Sequence, residues 1–548
     1  MASTLRITGR SPWLWFALVA IAYALVATRH IDLPGVYMDA VNPDYLVVKL
    51  LNPRHEPIVA WVLQGNYLLG DRVPILIALY HGSQTFWFGL PLFWLFGTTV
   101  EGLRLTHAVF GLVVLGGMFY MLRRARLAPM AAAALCIALA LDPSFTYAFR
   151  TQSYITLAPL AWMLFSLGLL FDVGDNPLPR WMWSGMLAGF AVAGYFVHAF
   201  FLPVVVVAML AFARIDRRPW RARWRWMVGL VIGASPYLLG YGLLARKMGG
   251  VDGFIRFFEQ EQASLHAFAS PLTPGERVEH ASRMLLGVIS DAWHHAMMFG
   301  EWVPVPWSTL KVTLLLVLPL VLWIAAELRR TASSELRVVA LMPMSFFAVA
   351  LVFGDRLGGH HFIVVVPLLY AWLGLGLRDA LAPGEVVSRE IALACFALFA
   401  VGIGINAAGQ VSEGRRLEQT GGVGLMSDAI NKLAADLNAA SPKPFMYFPD
   451  WGLSLPVVFL TRGTVGTDSL EDYARAKAML CSGRDIGVAL IDDREARTQA
   501  WTRALDWDPP QVQPYRQRDG TIVFDRLTYR GRADDPRCVT RRGEPVKR

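Results

Sequence analysis

Charge is scarce in this chain. Asp, Glu, Lys and Arg make up 17% of its 548 residues, where a soluble domain carries about 25%. Acids almost vanish from the apolar runs that recur between Trp13 and Asn406. This excludes a single soluble globule and points to repeated bilayer crossings. Only four cysteines occur, and none is paired at the spacing that holds zinc. The phosphate-cradling pattern G-x-x-x-x-G-K-[ST] is missing, which argues against an ATP-driven pump. Internal repeats are also absent.

What is present is 55% hydrophobic residues and a mean hydropathy of +0.42. A crossing helix needs roughly 20 apolar residues. Eleven segments approach this: 12–28, 103–122, 128–146, 153–171, 181–197, 199–213, 226–245, 308–326, 336–353, 361–377 and 390–407. The first follows Arg6 and Arg10 and lacks a small-residue cleavage site, so it reads as a retained span rather than a signal peptide. Gln84–Gly97 is apolar but short and contains Pro91, and it reads as a helix lying at the interface. The expected fold is an α-helical polytopic membrane protein of about eleven transmembrane helices, with a small C-terminal soluble α/β domain.

The net charge of +9 comes from arginines in short connectors. Arg123, Arg124 and Arg126 form one group, Arg214 to Arg225 a second, and Arg329, Arg330 and Arg337 a third. Under an eleven-span count all three fall on the side of the N-terminus, which the positive-inside rule makes cytoplasmic. Nucleic-acid binding is therefore not the reading of this charge. The loops 29–101 and 246–307 and the tail then face outward. The expected location is the inner (plasma) membrane, with the tail periplasmic or otherwise extracytoplasmic. The division is a membrane part at 1–407, a soluble domain at 408–530 and a disordered end at 531–548. Strands are expected at Phe445–Phe448, Gly487–Ile491 and Thr521–Phe524, and helices at Ser427–Leu437 and Ser469–Leu480. Cys481 and Cys538 either form a disulfide in this outer tail or remain two thiols.

The first outer loop opens GVYMDAVNPDY, carrying Asp39 and Asp44. A carboxylate held against a membrane surface is partly desolvated, which suits it to general-base work. The plainer alternative is two loop aspartates, one of them capping the Asn42-Pro43 turn.

Several segments stand in a particular order. Asp39 lies beyond span one, Phe86–Gly97 follows, Leu103-Arg104 opens span two and Arg123-Arg124 closes it. ALDPSFTYAFRTQSY places Arg150 at an outer helix end. ASPYLLGYGLLARKMGGVDGFIRFFEQEQ follows span seven, and GHHFIVVVPLLYAWLG opens a late span. Together these resemble the GT-C membrane glycosyltransferases, in the branch of the protein O-mannosyltransferases and the lipid A aminoarabinose transferases.

That resemblance implies a sugar donor on polyprenyl phosphate, an inverting attack by an acceptor hydroxyl, and an outer-loop aspartate as base. The acceptor is a lipid, protein or polysaccharide. Arg150, His360, His361 and Lys247 are the implied ligands of the donor phosphate. Fixed cations there favour a leaving group that gains negative charge. The family's acidic pair is commonly Asp-Glu, but here Ala40 follows Asp39. No cofactor or metal is therefore indicated, and Asp39 is the expected base with Asp44 as its substitute. Glu259, Glu261 and His55 are possible acceptor ligands, with solvated faces and a helix start as their plainer readings. A transporter or flippase of a lipid-linked saccharide is the main alternative. It would be expected to carry acids inside its spans and broken paired helices, and neither is visible.

Overall fold

The computed structural model describes residues 11–58, 61–172, 177–214, 218–267, 272–303, 307–381 and 389–538. Each of the eleven predicted spans falls on helix, but 128–146 runs across the break between Pro129–Ala140 and Pro143–Ala148, and 226–245 across that between Pro219–Gly233 and Ser235–Lys247. Seven of these are long and apolar enough to cross a membrane: Val100–Arg124, Tyr154–Phe171, Phe196–Ala213, Ser308–Leu328, Ser334–Arg356, Gly359–Ala380 and Leu393–Thr420. An eighth is Pro219–Gly233 joined to Ser235–Lys247 with a bend of 48°. Pro236 sits at the break, where its missing N–H and its ring cannot continue the helical ladder.

Pro12–Ala27 and Pro129–Ala140 are apolar but shorter. At 1.5 Å per residue they reach only about 24 and 18 Å, less than the roughly 30 Å of a hydrocarbon core. The Gln84–Phe96 helix buries Phe86, Gly89 and Phe93 and exposes Trp94 and Leu95. One buried face and one bare aromatic face is the pattern of an interfacial helix.

Packing within the helical part depends on close backbone approach. The Pro177–Gly194 and Pro219–Gly233 helices meet through Gly185 and Gly189 on one side and Gly229 and Gly233 on the other. A Cβ on any of the four would lie within 2.2 Å of a carbonyl oxygen across the interface. Two small-x-x-x-small stripes facing each other are how membrane helices gain contact without a hydrophobic drive between them.

Beyond Thr420 lies a five-stranded mixed sheet. Its order is Thr467–Asp468, Phe445–Tyr447, Ile486–Leu490, Ile522–Tyr529, Gln511–Arg516, the first two pairings parallel and the rest antiparallel. Every residue of Ile486–Leu490 is buried, as expected of a strand covered on both faces. The Ala429–Ala439 and Ser454–Leu460 helices pack on one side, and Tyr473–Cys481 and Arg494–Leu505 on the other. Cys481 and Cys538 are disulfide-bonded. The chain expected to be disordered from 531 is therefore held down as far as Cys538, while residues 539–548 lie outside the described residues.

The C-terminal sheet domain docks on the loop that follows the first helix. Leu455, Val458 and Phe459 share a core with Val36, Met38, Val41 and Tyr45. The Phe459 ring meets Phe93 of the interfacial helix at 5.5 Å, edge to face. Gly35 allows the closest approach, because a Cβ there would stand 1.8 Å from the Ser427 carbonyl oxygen. Its own N–H donates to the Met426 carbonyl at 2.7 Å.

Candidate active site

Asp39 sits in a single 3-10 turn, Met38–Ala40, between buried Met38 and fully buried Ala40. Buried neighbours on both sides leave Asp39 as the residue that turns outward. Its carboxylate lines a cavity of about 700 Å³. The lining draws on the first loop, on Tyr80 and His81, on Gln152 and Tyr195, on His360, on Phe257 and Glu261, and on Trp451, Ser469 and Leu470 of the soluble domain. Burial alone pushes the Asp39 carboxyl from 3.8 up to about 6. No cation pulls it back down. A carboxylate in this range ionises at neutral pH and still holds a proton well enough to act as a base.

Asp44 is placed differently. It is fully buried, and its Oδ2 accepts from the Tyr154 hydroxyl at 2.9 Å and meets His107 Nε2 at 2.8 Å. The His107 ring stacks on Tyr154 with centroids 3.8 Å apart. Asp44 thus fastens the loop to the Val100–Arg124 helix and to the start of Tyr154–Phe171, five residues from Asp39, and does not line the cavity.

Arg150 is also committed elsewhere. Its two terminal nitrogens donate to the carbonyls of His30, Leu33, Ala27 and Arg29. That clamps the end of the first helix and leaves the buried guanidinium no free fork for a phosphate. His360 lines the cavity, with Nδ1 3.3 Å from the Gln152 amide. His361 turns away, its Nε2 3.2 Å from the Tyr195 hydroxyl.

Lys247 closes the bent helix and is exposed. Its stem packs on Gly65, where a Cβ would meet it at 3.3 Å, directly beside Gln64 of the lining. It has no ion-pair partner among the described residues. Glu261 reaches the cavity and Glu259 does not. His55 sits at the seam between loop and soluble domain, against Gly463. Next to it, Glu56 pairs with Arg484 at 3.3 Å.

Sequence reasoning did not single out Gln152, Tyr195, Trp61 or Trp451. Gln152 lies two residues past Arg150 in a stretch already noted. The soluble-domain residues carry no local signal, because only docking brings them to Asp39.

A family model described as dolichyl-phosphate-mannose-protein mannosyltransferase matches residues 81–239. ArnT from Cupriavidus metallidurans bound to undecaprenyl phosphate superposes over 95% of this chain and 98% of its own, at 14% identity and a TM-score of 0.58. The apo form of the same protein covers 95% and 99%, at 13% identity and a TM-score of 0.57. The fold is GT-C-like, similar to that of ArnT. The arabinofuranosyltransferase AftD from Mycobacteria is similar over 96% of this chain and 40% of its own, at 16% identity and a TM-score of 0.51. No curated protein matches the chain by sequence.

Proposed function

We propose that this GT-C protein transfers a sugar from a polyprenyl-phosphate donor to an acceptor hydroxyl at the outer face of the membrane. One observation carries the reading: Asp39 is a half-buried carboxylate, without an ion-pair partner among the described residues, lining a large cavity at the foot of the C-terminal domain. Asp39 takes the hydroxyl proton as the acceptor oxygen bonds to the anomeric carbon. The bond from that carbon to the phosphate oxygen breaks, and the electron pair leaves with polyprenyl phosphate. A single displacement of this kind inverts the anomeric centre.

The leaving phosphate needs a cation, and our candidate is exposed Lys247, which packs on Gly65 beside Gln64 of the lining. His360 faces the same space and acts as a hydrogen-bonding group. The printed ligand of the ArnT relative, undecaprenyl phosphate, supports a polyprenyl donor here. The disulfide between Cys481 and Cys538 supports an oxidising compartment for the C-terminal domain. The test is release of free polyprenyl phosphate by purified protein given donor and acceptor. Release that depends on Asp39 supports transfer. Absence of release across a broad donor panel would move the reading to flipping.

A further inference from the structure

The cavity wall opposite the membrane helices belongs to the soluble domain, and its chemistry describes what docks there. Trp451 and Trp61 stand edge to face with ring centroids 5.2 Å apart, and they remain 48% and 40% exposed. A half-bare indole pair inside a cavity is unusual, because indoles are normally buried against something.

Trp451 is also held in place. The preceding residue, Asp450, accepts from the Ile491 N–H at 2.7 Å and from Arg497 Nη1 at 2.5 Å. The following residue, Gly452, has φ +116, and a Cβ there would meet the Tyr37 ring at 3.2 Å. Only glycine adopts that backbone freely. The turn is therefore pinned to the sheet on one side and to the Asp39 loop on the other, which is how a recognition side chain is preorganised.

The remaining lining narrows the occupant. Asn42, Gln64, Gln152 and Ser469 offer neutral hydrogen bonds, and Asp39 and Glu261 offer carboxylates. Neither lysine nor arginine lines the cavity among the described residues. Beside the Trp451 platform, two acids with no lysine or arginine in the lining disfavour an anionic acceptor. A peptide would want a strand to pair with, yet the nearest sheet edge, Thr467–Asp468, is two residues long and buried. What fits is a ring with an apolar C–H face and a rim of hydroxyls. Its C–H edges carry the partial positive charge that the indole face attracts.

Resting on the transfer reading above, we infer that the acceptor is a neutral saccharide stacked on Trp451, with Trp61 bracing the platform.

The experiment uses the full chain in detergent micelles and follows binding by saturation-transfer NMR. The probes are neutral disaccharides of gluco, galacto, manno and arabino configuration, a uronic-acid disaccharide, a Ser/Thr-rich peptide and phosphatidylglycerol. A neutral disaccharide should bind. Trp451→Ala should weaken it at least about tenfold, some 1.4 kcal/mol, and Trp451→Phe should keep most of the affinity. Leu470→Lys, at a position 70% exposed and so safe for folding, should admit the uronic-acid disaccharide that the native wall rejects. Binding of the peptide or phosphatidylglycerol in place of every neutral disaccharide overturns the inference. So does a Trp451→Ala protein that is folded and binds as before. Undecaprenyl phosphate binding on the same preparation separates the two readings. Lipid binding without saccharide binding defeats this inference alone, and saccharide binding without lipid binding defeats the transfer reading alone.

Discussion

Asp44 and His107 face each other at 2.8 Å with neither side chain reaching solvent. Tyr154 closes the group by donating to the same carboxylate oxygen. The trio joins the loop after the first helix to two helices, five residues from Asp39. Removing one member of a buried hydrogen-bonded pair leaves the other unsatisfied, at a cost of about 1–3 kcal/mol. Asp44→Asn and His107→Ala should therefore lower the melting temperature sharply, with activity falling alongside the folded fraction. Differential scanning fluorimetry run beside the activity assay checks this. An Asp44→Asn protein that melts normally and is inactive would make Asp44 the base instead.

Arg150 should behave as a clamp. Its guanidinium satisfies four loop carbonyls, so Arg150→Ala leaves several buried acceptors unpaired at about 1–3 kcal/mol each. Lysine presents a point charge rather than a planar fork, and Arg150→Lys should rescue poorly. Donor affinity of the protein that remains folded should be unchanged, as measured by lipid titration. A large loss of donor affinity in a fully folded variant would return Arg150 to the phosphate.

The helices were legible because apolar runs and arginine clusters are local signals. The number that fully cross was less so, since Pro12–Ala27 and Pro129–Ala140 are apolar yet short. Arg150 stood out in the sequence as a cation at an outer helix end, but its partners are backbone carbonyls, which a sequence does not display. Trp451 carried no signal because its meeting with Trp61 depends on how the soluble domain docks. Asp39 was legible from its place after the first span and from resemblance. Its separation from Asp44 came only from packing: Asp44 has His107, and Asp39 has the cavity.

The disulfide offers a test confined to the soluble domain. Cys481→Ser with Cys538→Ser should cost about 2–4 kcal/mol and release the segment after Tyr529 to proteolysis. Limited trypsin digestion with and without reductant reads this directly. Resistance of the double variant would show that packing alone holds the segment.

The pH dependence has a definite sign. The Asp39 carboxyl is raised from 3.8 to about 6 by burial. Transfer requires the carboxylate, so the rate should rise as pH passes through about 6 and level off above it. Stability runs the other way. The folded state holds this proton more tightly than the unfolded state, so the contribution present at low pH is lost as pH rises through the folded value. Asp39→Asn should accordingly raise the melting temperature near neutral pH and leave it unchanged near pH 4, where the carboxyl is protonated in the folded state. A pH–rate profile and paired melts check both.

The most direct test places wild type and Asp39→Asn in liposomes with polyprenyl-phosphate sugars and a crude envelope extract, and follows free polyprenyl phosphate. Wild type should release it, and Asp39→Asn should release it about 10²–10⁴-fold more slowly while binding donor as before. Equal release by the two proteins would contradict the assignment of Asp39 as the base.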